Sequence, residues 1–91
     1  MNDLVYPKIL MYSRSFCSDC VRSKAFLDNN NIPYTEINIL EDTKAQEKVI
    51  SLNNGRATVP TIIINNSQKK IILSEPTDAE LAKAISKLSL D

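Results

Sequence analysis

Lys8 to Ser13 carries the apolar run Ile9-Leu10-Met11-Tyr12, which suits a strand covered on both faces, as parallel strands are. Pro7 stands just outside it, where a missing N–H does little harm. Cys17 to about Asn29 predicts a helix with Cys20, Val21, Ala25 and Leu27 on one broad face; Phe26 falls off that face. Asn29-Asn30-Asn31 supplies its stop, because asparagine tolerates the left-handed backbone that ends helices. Pro33 to Leu40 predicts a second strand, with Tyr34, Glu36 and Asn38 alternating against Ile37 and Ile39.

Glu41-Asp42-Thr43 offers acidic and capping residues for a second helix, and Ala45, Val49 and Leu52 recur at helical spacing behind it. Asn53-Asn54-Gly55 ends that helix, with the chain's one glycine in the left-handed region. Thr61 to Asn65 is β-branched and strand-like, Asn66-Ser67-Gln68 is a turn, and Lys69 to Leu73 pairs back as a hairpin. Pro76 breaks the incoming strand, and Thr77-Asp78-Ala79-Glu80 matches a capping box. Leu81, Ala84, Ile85 and Leu88 form the apolar face of the last helix.

The order is β-α-β-α-β-β-α. Alternation in the first half implies right-handed crossovers and parallel strands, the hairpin adds antiparallel strands to the same sheet, and helices cover both faces. With 91 residues this is one domain, 1–91. Eleven basic residues balance eleven acidic ones, so no long-range field draws the chain to nucleic acid or to an anionic membrane. Arg14, Arg22 and Lys24 lie near the cysteines and are candidates for a local basic cluster. No apolar run approaches a membrane span, and Met1 to Pro7 lacks the basic start and apolar stretch of a signal peptide. The expected location is the cytoplasm.

Both cysteines fall in Cys17-Ser18-Asp19-Cys20, at the junction between the first strand and the first helix. A helix starting at Cys17 aims its free N–H groups at the first sulfur, which favours the thiolate, the species that attacks disulfides. The second sulfur is one turn away, close enough to finish the exchange, and its expected cover is Val21 and Leu27. In a reducing cytosol such a pair points to catalysis or metal binding rather than to a structural staple. Two buried apolar cysteines would be the plain alternative. A structural zinc site wants four Cys or His ligands, and the chain has no histidine, so no metal is expected. The missing histidine also excludes a Cys–His dyad. Asp19 modulates the site in the opposite sense to the helix end, because a carboxylate disfavours a nearby thiolate.

Arg14-Ser15-Phe16-Cys17-Ser18-Asp19-Cys20 at a strand-to-helix junction resembles the active site of glutaredoxins, and Arg56-Ala57-Thr58-Val59-Pro60-Thr61 resembles the Thr-Val-Pro segment before their third strand. Lys24 and Leu27 sit where that family often has a lysine and a core leucine. The likeness runs from about Lys8 to Leu88. It implies an α/β thioredoxin fold in its short glutaredoxin form, a four-stranded mixed sheet flanked by three helices. It implies that Cys17 is the nucleophile and Cys20 the resolving thiol, that Pro60 is cis, and that the Val59 backbone pairs with bound glutathione or peptide. Arg14 takes the place of a basic residue that helps hold a glutathione carboxylate; Thr58, Val59, Pro60 and Asp78 complete the implied binding set. The chain departs from the family at Leu73-Ser74-Glu75-Pro76-Thr77-Asp78, where glutaredoxins have a Gly-Gly pair followed by Asp, and at Ser18-Asp19, where Pro-Tyr is common. The stretch Leu73 to Asp78 is more similar to the mycoredoxin and glutaredoxin-like subgroup.

The function this implies is a thiol–disulfide oxidoreductase that reduces protein disulfides or low-molecular-weight mixed disulfides by dithiol exchange. The expectation is a monomer without bound cofactor. Glutathione or another thiol would be the co-substrate, and a thiol or flavoprotein reductase would return the electrons. The rival implied by the same resemblance is a glutathione-dependent iron–sulfur cluster carrier that bridges two subunits through Cys17.

Overall fold

In a computed structural model, which describes residues 6–89, four strands form one mixed sheet. They are β1 (Lys8–Ser13), β2 (Thr35–Asn38), β3 (Thr61–Asn65) and β4 (Lys70–Ser74), in the order β2-β1-β3-β4. β1 runs parallel to β2, with Leu10 opposite Thr35, and antiparallel to β3, with Leu10 opposite Ile63; β3 and β4 form the antiparallel hairpin. The continuous apolar runs thus occupy the two central strands. Thr61 to Ile64 is buried without a break, whereas β4 at the edge alternates. The helices are α1 (Ser18–Asn29), α2 (Thr43–Leu52) and α3 (Asp78–Leu88). The fold is the thioredoxin fold. No helix among the described residues is long and apolar enough to cross a membrane. The reading of Met1 to Val5 lies outside the described residues.

Because side chains alternate across a strand, the sheet builds two cores. Ile9, Met11, Ile62 and Ile64 meet Leu27 of α1 and Leu81, Ala84, Ile85 and Leu88 of α3 on one face. Tyr12 and Ile63 meet Ala45 and Val49 of α2, together with Cys20, Ile39 and Val59, on the other. Helix ends follow their capping chemistry. Asp42 accepts from the Ala45 N–H at 3.0 Å, and Thr77 and Glu80 form the reciprocal box that opens α3, at 2.8 and 3.1 Å. At the end of α2 the cap is Asn53, and both Asn54 (φ 56°) and Gly55 (φ 94°) are left-handed.

Three expectations change. β2 is shorter than Pro33 to Leu40, because its partner β1 ends at Ser13 opposite Asn38; one further bond, from the Ile39 N–H to the Ser13 carbonyl at 2.8 Å, closes the pairing. β4 starts at Lys70 because the Asn66 carboxamide accepts from the Gln68 and Lys69 N–H groups, which commits Lys69 to the turn. α1 buries Cys20, Ser23 and Leu27, with Phe26 half-buried, while Val21 and Ala25 face outward. Three and four residues apart, the buried positions make a proper stripe, but one of them is a serine.

Two polar clusters fix the elements around the thiols. Glu36 of β2 accepts from the buried Ser13 hydroxyl at 2.8 Å and pairs with Lys24 of α1 at 3.1 Å. Burial disfavours the Glu36 charge, but the bonds from Ser13 and Lys24 and the lysine's charge outweigh it and hold this carboxyl below its ordinary value. Asn53 donates to the Val49 carbonyl at 2.8 Å and to the Thr61 hydroxyl at 3.0 Å, and accepts from the Ser74 hydroxyl. Thr61 in turn donates to the Thr58 carbonyl at 2.7 Å. The end of α2, the start of β3 and the segment Thr58–Thr61 are therefore joined through one carboxamide.

Two outcomes follow from these clusters. A carboxyl with a lowered folded-state value stabilises the fold above its unfolded value and loses that contribution as the pH falls through the folded one. The stability advantage of the natural chain over Glu36→Gln should thus be full above 4.5, the ordinary value, and shrink below it; urea titrations across that range check this, and a constant difference would contradict it. Asn53→Ala should cost about 1–3 kcal/mol, since it strips partners from the buried Thr61 hydroxyl and the Val49 carbonyl, read as a lowered urea midpoint at unchanged slope.

Candidate functional site

β1 delivers the chain to Ser13, and the next three residues turn it into α1. Phe16 makes that turn with φ 59°, in the left-handed region, and its side chain is 102% exposed. Cys17 then takes an extended backbone, φ −127° and ψ 103°, which makes it the N-cap of α1. Its carbonyl accepts the first helical bond, from the Val21 N–H at 3.1 Å, and its Sγ accepts from the Cys20 N–H at 3.1 Å. A sulfur here does what a serine or aspartate oxygen does at other helix starts, and it sits at the positive end of the helix dipole.

Cys17 and Cys20 are joined as a disulfide, with Cα atoms 5.2 Å apart. The two sulfurs differ in access. Cys17 is half-buried, whereas Cys20 is 5% exposed and packs in the α2-side core with Tyr12, Val59 and Ile63. The expected cover of Cys20 by Val21 and Leu27 is not found: Val21 is 67% exposed, one turn behind Cys17 on the outer side of α1, and Leu27 packs in the core on the other face of the sheet. Val59 and its neighbours take that place.

The segment Thr58-Val59-Pro60 stands against the cysteines. Cys17 Sγ lies 3.9 Å from the Val59 carbonyl oxygen, and the Val59–Pro60 peptide bond is cis. The Val59 N–H makes no hydrogen bond among the described residues. Val59 and Pro60 are buried, and the Pro60 carbonyl accepts from the Glu75 N–H at 2.8 Å, so the loop after β4 is tied to the same segment. Glu75 holds φ 49°. That conformation costs a residue with a Cβ about 1–2 kcal/mol; it keeps the left-handed backbone at the place where the resemblance led to glycine.

Asp19 pairs with Arg22 at 3.1 Å, which offsets its field at the sulfur, and Arg22 also donates to the Pro76 carbonyl at 3.4 Å. Arg22, though exposed, thus links α1 to the loop before α3. Arg14 and Asp78 are exposed, and their side chains make no hydrogen bond or ion pair among the described residues; Thr77 caps α3. Two contributors were not singled out from the sequence. Asn53 was read only as a helix stop, and its reach to Thr61 and Ser74 has no local signal. Phe16 did carry one, an aromatic directly before the first cysteine.

Known proteins resemble this chain in sequence and in fold. The Glutaredoxin family model matches residues 9–68. Glutaredoxin 1 of Rickettsia conorii is 37% identical over 67 residues, 72% of this chain, and the match spans 66% of that relative's length. The same figures for glutaredoxin 1 of Rickettsia prowazekii are 37%, 72% and 70%. Among solved structures, the glutaredoxin from Archaeoglobus fulgidus superposes with a TM-score of 0.65 at 28% identity, covering 89% of this chain and 87% of its own. Mitochondrial thioredoxin 3 of Saccharomyces cerevisiae, at 14% identity and a TM-score of 0.64 over 97% of this chain and 81% of its own, shares the fold. With a matching family model over most of its length and a cysteine pair at the start of its first helix, this chain belongs to the glutaredoxin family.

Proposed function

We propose that the chain reduces disulfides by dithiol exchange, with Cys17 as nucleophile and Cys20 as resolving thiol. The observation that carries this reading is the unequal access of two sulfurs bonded across one helical turn, the outer one capping α1 and the inner one buried. In the reduced protein the Cys17 thiolate attacks one sulfur of the substrate disulfide. The new S–S bond forms as the old one breaks, and the leaving sulfur takes the electron pair as a thiolate. Cys20, as its thiolate, then attacks Cys17 Sγ, forms the internal disulfide and expels the second substrate thiolate. Two electrons pass from the cysteine pair to the substrate.

The helix end and the Cys20 N–H favour the attacking thiolate; Asp19 opposes it, and Arg22 limits that opposition. The Val59 N–H and carbonyl offer an extended substrate segment a partner strand, and Thr58 and Pro60 hold that edge in place. Arg14 and Asp78 supply opposite charges at the rim. Substrates of this reading are protein disulfides or glutathione mixed disulfides. The Glu75 carboxylate, in the stretch where glutaredoxins have a Gly-Gly pair, would repel a glutathione carboxylate and so favours the former. The chain carries no bound cofactor in this reading. Glutathione, another thiol or a flavoprotein reductase recycles it.

The cysteine roles are tested by trapping. Cys20→Ser should accumulate a covalent mixed disulfide with a protein substrate such as insulin, visible as a mass adduct on Cys17 that dithiothreitol removes. Cys17→Ser should form none and lose activity. Full-rate turnover of protein disulfides by Cys20→Ser would contradict the two-cysteine cycle.

A further inference from the structure

Four large apolar side chains are exposed among the described residues: Phe16, Val21, Leu40 and Ile72. Single exposed apolar residues are ordinary, but three of these four lie on the segments tied to the turn that carries Cys17. Phe16 directly precedes Cys17. Val21 lies one turn behind it. Leu40 is brought in by the Asn38 carboxamide, which donates to the Ser15 hydroxyl at 3.2 Å and accepts from the Leu40 N–H at 2.9 Å.

Phe16 carries a second, independent sign. A bulky residue at φ 59° is a backbone outlier, and strain of this kind persists where the surroundings enforce it, commonly at binding and reaction sites. Here the strained backbone holds the ring in solvent, where it gains nothing from the chain's own core. The partner that suits an exposed ring beside Cys17 is an apolar side chain brought in next to the disulfide that this cysteine attacks.

We infer that Phe16 is a specificity-determining residue. Together with Leu40 and Val21 it receives an apolar side chain next to the substrate cysteine, so that the site prefers protein disulfides with apolar flanks over hydrophilic ones. This rests on the exchange reading above and leaves its chemistry unchanged: the substrate S–S bond breaks, the bond to Cys17 forms, and the leaving thiolate takes the electron pair. The contribution is made when the flanking side chain and the ring leave water together, which a small hydrophilic disulfide cannot do.

The test uses the reduced full chain in single turnover, with no other reductant. The substrates are two symmetric peptide disulfides identical except for Leu or Ser on both sides of the cysteine. The Leu-flanked peptide should be reduced roughly tenfold faster, the scale on which an apolar pocket discriminates. Phe16→Asn, which tolerates the left-handed backbone, should bring the ratio close to one, and Phe16→Trp should keep it. Leu40→Ser should lower it. Equal rates for the two peptides with the natural chain, or an undiminished ratio in Phe16→Asn, would overturn the inference while leaving the exchange reading intact. Reduction of neither peptide would overturn both.

Discussion

A sulfur atom occupies the N-cap position of the first helix, and the chemistry of the site depends on that single substitution of sulfur for oxygen. The Cys20 N–H that would otherwise need water or a hydroxyl is satisfied by Cys17 Sγ. The same free amides that need a partner favour a negative charge there. Nothing local forces Cys17 into this position. It is placed by packing further along α1: Leu27 is fully buried against the sheet, worth about 1.5–3 kcal/mol. Lys24 reaches β2 and Arg22 reaches the loop before α3. The helix is held along its length, and its first turn delivers the sulfur to the surface.

The second constraint is asymmetry. An exchange reaction needs one accessible sulfur and one that is reached only from within. The chain achieves this with backbone from outside the helix: Val59, presented by a segment that Thr61, Asn53 and Ser74 hold in place, covers Cys20 and approaches Cys17 at the same time. The clamp on Thr58–Thr61 and the cap on α1 are thus two halves of one device, meeting at the cysteines in the α2-side core. The Glu75–Pro60 hydrogen bond joins a third segment to it.

Much of this was legible in the residues. The element order, both central strands, the capping box at Thr77 and the four apolar positions of α3 followed from period and capping chemistry, because each is a local signal. The cysteine motif and Thr58-Val59-Pro60 were legible as a resemblance, and the family match bears out the recognition. The inner face of α1 was not legible. Val21 and Ala25 are apolar yet outward, Ser23 is polar yet buried, and so few large apolar residues lie on this helix that tertiary contacts decide its orientation. Asn53 was opaque for a different reason: its partners Thr61 and Ser74 are 8 and 21 residues away, so only the folded sheet brings them within reach. The left-handed backbones of Phe16 and Glu75 run against residue preference, and no composition rule finds such positions.

In the proposed cycle the helix start makes the outer sulfur the reactive one. Its most direct test is the pH dependence of alkylation of the fully reduced chain by iodoacetamide, read by peptide mass at each cysteine separately. Cys17 should be modified with a midpoint below about 8.5, the ordinary thiol value, while Cys20 stays unmodified there. A Cys17 midpoint at or above the ordinary value, or Cys20 reacting first, would contradict it.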